Sequence, residues 1–228
     1  FGAVLGPICA FVLLSFLASD PENPTARDYR QVFLFASVPV ALGLFVIVFF
    51  VKEKKHEPHA EELNLTPIKL SLKEFDGNFK RFLGIIALFT LSNSTDAFLL
   101  LRAEQAGIAP AILPLLWMTL HFSKVIFSLI GGDLSDKFGR KKLIFAGWIV
   151  YALVYAGFAF VNAEWQAWVL FIIYGIYFGL TEGTEKALVA DLVESQEKRG
   201  TAFGFYNLAF SITVLPASII FGALWSYY

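Results

Sequence analysis

Cysteine is almost absent from this chain. Cys9 stands alone, so no intrachain disulfide can form and a disulfide-stapled secreted scaffold is excluded. Charge is scarce as well: Asp, Glu, Lys and Arg make up 16% of 228 residues, too little for a solvated domain surface or for a basic nucleic-acid-binding face. No glycine-rich phosphate loop ending in Gly-Lys occurs, so nothing marks an ATP-driven pump. No Ser, His and Asp fall at a membrane depth that would suit a protease. Histidine is limited to three residues, and His56 and His59 lie among glutamates with no further histidine to complete a metal shell, so no metal site is expected. Apolar side chains fill the space these absences leave. They are 57% of the chain, with 25 Phe among them, more than one water-soluble core of this size can bury. The excess belongs in lipid.

Seven stretches approach the roughly 20 apolar residues that a helix needs to cross a bilayer: residues 1–17, 32–51, 82–101, 110–130, 143–161, 167–190 and 201–225. The fold class expected is therefore all-α, a polytopic membrane helix bundle whose first partner is the lipid itself. Fourteen of the eighteen basic residues fall in three connecting segments, 52–81, 137–142 and 186–199. Arg27, Arg30 and Arg102 fall on the other side, and Lys124 lies within a span. By the positive-inside rule the three basic segments face the cytoplasm. Trp165, Trp168 and Trp225 then sit at the outer boundary, where amphipathic rings prefer to be. The segment 70–75, alternating apolar and polar, is expected to lie along the inner membrane surface. Residue 1 is Phe, without the basic flank of a signal peptide, and the last span ends close to Tyr228. Further chain is expected on both sides.

Polar groups inside the spans carry the functional signal, because hydrocarbon penalises them unless they face a cavity or a partner. In the third span, Ser92 to Asp96 is a polar run, and helical spacing puts Asn93 and Asp96 on one side, with Asp96 in reach of a neighbouring helix or Arg102. The fourth span presents Trp117, His121, Lys124 and Ser128 as one stripe, which fits a cavity wall or, for Lys124, a side chain snorkelling to the cytoplasmic surface. In the sixth span Tyr174, Thr181 and Glu185 share a face, and a structural ion pair of Glu185 with a basic loop residue is favoured over a proton-carrying role. Gly175, Gly179 and Gly183 form a stripe that lets another helix approach. Asn207 and Ser211 lie one turn apart in the last span, where Pro216 suggests a bend.

Between the fourth and fifth spans the chain reads Gly132-Asp133-Leu134-Ser135-Asp136-Lys137-Phe138-Gly139-Arg140-Lys141-Lys142. This resembles the signature loop of the major facilitator superfamily, Gly-x3-Asp-(Arg/Lys)-x-Gly-(Arg/Lys)-(Arg/Lys), at every defined position. Members of that family have two six-helix halves, and residues 52–81 are similar to the charged loop that joins them. The resemblance makes residues 1–51 the last two helices of the N-terminal half, 52–81 the cytoplasmic central loop and 82–228 five helices of the C-terminal half: seven of twelve helices. Gly2, Gly6 and Pro7 are also similar to the antiporter motif of the family's fifth helix, although Ala10 and Phe11 stand where a glycine pair is usual.

The resemblance implies a secondary transporter working by alternating access on a small-molecule substrate, with protons as the coupling ion, efflux favoured over uptake, and no bound cofactor. The bacterial inner membrane is the expected location. By the same analogy, Asn93, Asp96, His121, Lys124, Tyr174, Glu185 and Asn207 are candidates for the substrate or proton pathway. Gly132, Asp136, Lys137, Gly139, Arg140 and Lys141 belong to a conformational switch. Two other readings compete. A seven-helix retinal-type receptor would want a lysine in the middle of the last span, and residues 201–225 have none. A membrane-embedded enzyme would need paired groups on facing helices, for which His121 with Asp96 is the one nomination.

Overall fold

The computed structural model describes residues 2–52, 71–93 and 95–227. Helix α1 (Gly2–Leu17) is followed by α2 (Ala26–Phe50), α3 (Gly77–Leu91), α4 (Ala97–Gln105), α5 (Leu113–Phe138), α6 (Arg140–Ala159), α7 (Glu164–Asp191) and α8 (Gln196–Tyr227), and a single 3₁₀ turn precedes each of α3 and α5. Among the described residues there is no β-strand. Five helices, α2, α5, α6, α7 and α8, are long and apolar enough to cross a membrane, while α1 is apolar over 16 residues. His56, His59 and most of the segment expected as a central loop lie outside the described residues.

Helix starts follow capping chemistry rather than hydropathy. The Asp28 carboxylate accepts from the Thr25 amide (2.8 Å) and hydroxyl (2.7 Å), so α2 opens at Ala26, ahead of its apolar run. Asp76 accepts from the Phe79 amide at 2.8 Å and starts α3 at Gly77. Pro216, expected to mark a bend, lies inside the unbroken run of α8.

Two corrections concern continuity. The third span is not one helix: the run Ser92 to Asp96 splits it into α3 and α4. Short polar side chains compete for backbone hydrogen bonds, and Ser92 does so here, its hydroxyl donating to the Phe89 carbonyl at 2.6 Å. Asn93 and Asp96 therefore do not sit on a common helical face. The expected signature loop is, conversely, mostly helix. α5 runs through Asp136 and Lys137 to Phe138, α6 begins at Arg140, and the turn is Gly139 alone, at φ +89°.

The core lies where α7 packs between α5 and α6, with α3 on α8 closing the signature end. Gly175 and Gly179 line the α5–α7 seam. A Cβ at Gly175 would fall 2.7 Å from the Leu120 carbonyl oxygen, and one at Gly179 would fall 2.5 Å from Phe127 Cβ. Gly131 on α5 completes this seam from the other side, where a Cβ would fall 2.5 Å from the Gly179 carbonyl oxygen. Gly183 is a correction to the expected stripe, since a Cβ there would meet nothing within 4 Å.

Candidate functional site

Next to the α5–α7 seam, the side chains of α5, α7, α8 and the α3–α4 break line an open cavity of about 310 Å³. Asn93 enters it from the break, Lys124 from α5, Glu182, Glu185 and Lys186 from α7, and Asn207 from α8. Tyr177, Phe178, Tyr206 and Phe210 supply aromatic wall. A larger cavity of about 570 Å³ continues toward the signature end and shares Lys124, Glu182 and Lys186 with the first.

Lys124 pairs across helices: its ammonium lies 2.5 Å from Glu182 Oε2 of α7 and 5.0 Å from the centroid of the Phe178 ring. Lys186 takes the other oxygen of the same carboxylate at 3.2 Å, one turn along α7.

Glu185 overturns the expected ion pair. Among the described residues no cation pairs with it; Oε1 accepts from Trp148 Nε1 of α6 at 3.1 Å, and Oε2 accepts from the Tyr206 hydroxyl of α8 at 2.8 Å. The residue is buried, so two neutral donors from two other helices replace water at a carboxylate. The basic residues Lys186 and Lys198 are committed to Glu182 and Glu74.

Asp96 heads α4, and its Oδ1 accepts from the Tyr174 hydroxyl at 2.7 Å. Tyr174 is fully buried, so it serves Asp96 rather than an open cavity wall. Tyr151 donates to the Ser92 carbonyl at 2.9 Å, tying α6 to the same break. Arg102 does not meet Asp96. It donates to the carbonyls of Phe158 (3.4 Å) and Val161 (2.6 Å) at the end of α6, and to Gln105 Oε1 at 3.4 Å. His121 packs edge to face against Trp117 at 5.2 Å, outside the lining of the cavity and not paired with Asp96.

At the signature end Arg140 is the hub. It donates to Ser135 Oγ at 2.8 Å and Asp136 Oδ1 at 3.1 Å on α5, and to the Asp191 carboxylate at the end of α7. Gly132 sits on the helix facing open space, and Lys137 and Lys141 are exposed with no ion pair among the described residues. Sequence reasoning missed the roles of Glu182, Trp148, Tyr206 and Asp191. The four-residue step from Glu182 to Lys186 was a usable signal; the other three contacts exist only in the packed bundle.

Comparison with known proteins adds the remaining information. An uncharacterised MFS-type transporter of Methanocaldococcus jannaschii is 34% identical over 98% of this chain and 54% of its own. The uncharacterised MFS-type transporter YqjV of Bacillus subtilis is 31% identical over 46% of this chain and 24% of its own. The multidrug resistance protein MdtH of Shigella flexneri is 26% identical over 53% and 29%. The chain spans about half the length of the relative it matches end to end. No solved structure matches it. The family model for the Major Facilitator Superfamily matches residues 1–224, and the chain, an integral membrane helix bundle carrying part of that fold, belongs to this family.

Proposed function

We propose that this chain is part of a secondary transporter that moves a small molecule by alternating access, driven by protons and directed outward. Residues 1–51 contribute the last two helices of the N-terminal half, 52–81 the central loop on the cytoplasmic side, and 82–228 five helices of the C-terminal half, in the bacterial inner membrane. The 14 basic residues of the three connecting segments support that orientation. The partial likeness to a multidrug resistance protein favours efflux.

The observation that carries proton coupling is a repeated arrangement. Asp96 and Glu185 each accept from a tyrosine hydroxyl, Tyr174 at 2.7 Å and Tyr206 at 2.8 Å, and among the described residues neither forms an ion pair. A carboxylate held by neutral donors can gain a proton without stranding a cation. Glu185 also lines the cavity, so its charge state is felt by whatever occupies it. Protonated, it would offer a donor where it now accepts, and one of the two bonds joining α6 and α8 to α7 would have to rearrange. Arg140, Asp136 and Asp191 act as the conformational latch, because they join α5, α6 and α7 at the end that must open.

The test uses the full-length protein in proteoliposomes with an imposed proton gradient. Glu185→Gln, which keeps size and one acceptor, is expected to lower gradient-driven transport by about tenfold or more while gradient-independent exchange persists. Asp96→Asn is expected to act the same way. Gradient-driven transport unchanged by both substitutions overturns proton coupling through these residues.

A further inference from the structure

Three charged side chains of the 310 Å³ cavity are open to solvent: Lys124, Glu182 and Lys186, with side-chain exposures of 28%, 42% and 53%. The fourth, Glu185, is 8% exposed and has both oxygens engaged by Trp148 and Tyr206. The charge a substrate meets is therefore two ammonium groups against one carboxylate.

That carboxylate is also the exchangeable member of the set. Glu182 divides its oxygens between Lys124 on α5 and Lys186 on its own helix. Lys124 can leave it without stranding it, because Lys186 remains, and Lys124 keeps the face of Phe178 at 5.0 Å. An incoming cation faces the opposite situation. It would have to outcompete two lysines for Glu182, or strip Glu185 of two hydrogen bonds and leave buried donors unpaired.

We propose, building on the transport reading above, that the cavity takes a small organic anion, whose carboxylate or equivalent group displaces Glu182 from Lys124. The carbon skeleton lies against Tyr177, Phe178 and Phe210, and the amides of Asn93 and Asn207 are placed for a polar substituent. A volume of 310 Å³ is sufficient for a compact molecule. Binding breaks an ion pair that joins α5 to α7 in this cavity wall, so occupancy changes the charge contacts between the two helices lining it.

The experiment measures uptake of p-aminohippurate and, in parallel, of N-methylphenylpyridinium by inverted vesicles holding the full-length protein, together with the melting temperature of the purified protein in each ligand. Expected are saturable p-aminohippurate uptake and an upward melting shift. Lys124→Gln should cut anion uptake about tenfold or more, Lys124→Arg should restore part of it, and Glu182→Gln should lower KM by freeing Lys124. Melting temperatures of the unliganded variants separate loss of binding from loss of fold. Absence of both anion uptake and an anion-dependent melting shift overturns the assignment. Uptake of the cation would then leave the transport reading standing, and its absence removes both. A KM that rises in Glu182→Gln also overturns the exchange.

Discussion

Helix α7 has packed positions and open ones, and the same residue types behave differently at each. Glu182 faces the cavities, shared by two lysines; Glu185, three residues on, is buried between α6 and α8 and held by an indole and a phenol. Gly179 is pressed against Phe127, while Gly183, one turn further, faces empty space. The lesson is that surroundings, not residue type, assign the role. A carboxylate among part-exposed ammonium groups is an electrostatic partner that can be traded. One enclosed by neutral donors from two other helices is a proton site and a structural tie together.

Replacements at the two kinds of position should therefore separate cleanly. The largest contrast is Glu185→Ala against Glu182→Ala. The first leaves the Trp148 and Tyr206 donors without their acceptor, at about 1–3 kcal/mol each, and should lower the melting temperature of the full-length protein in detergent far more than the second, which removes exposed pairs worth about 0–1 kcal/mol. Next come the glycines. Gly175→Ala or Gly179→Ala should cost about 1–3 kcal/mol because the new methyl meets backbone and Cβ atoms of α5, whereas Gly183→Ala should be neutral or stabilise by about 0.4–1 kcal/mol. Thermal unfolding of the two sets decides this, and equal losses would mean that Gly183 is as closely packed as the other two.

Tyr206→Phe gives a smaller effect, about 0.6–2 kcal/mol for one hydrogen bond within a membrane bundle, visible as reduced gradient-driven transport at a nearly unchanged fold. The smallest is ionic strength. Raising salt toward 1 M, where the screening length falls to about 3 Å, should weaken Lys124–Glu182 and leave the Glu185 contacts as they were, so KM for an anionic substrate should rise with salt more steeply in Glu182→Gln, which has no competing pair to weaken, than in the parent.

Much of this was legible beforehand, for reasons that differ by residue. Apolar runs located the helices because lipid tolerates little else. Gly139 was legible as a turn because the motif demands it, yet the helical character of Gly132 to Phe138 was not, since charged residues read as loop when they simply extend a helix past the membrane surface. The break at Ser92 to Asp96 was hidden by the apolar residues on either side, although a run of five short polar side chains is a breaker by its own chemistry. Tyr174 could be placed on the polar face of α7, but its bond to Asp96 joins residues 78 apart in sequence and depends on how α4 docks. For Glu185, nearby lysines suggested an ion pair, and only the packing of Trp148 and Tyr206 shows that they are elsewhere engaged.

Gly139 has one more consequence, for how the bundle is made. A one-residue connection lets its flanking residues lie at most about 7 Å apart, so the end of α5 and the start of α6 can never separate by a membrane's width. During synthesis the two helices must enter lipid together as a hairpin, and afterwards they can only tilt as a pair. Any displacement of Phe138 is handed to Arg140 with no slack to absorb it, and a peptide tag inserted at this point would uncouple the two helices even where both still insert.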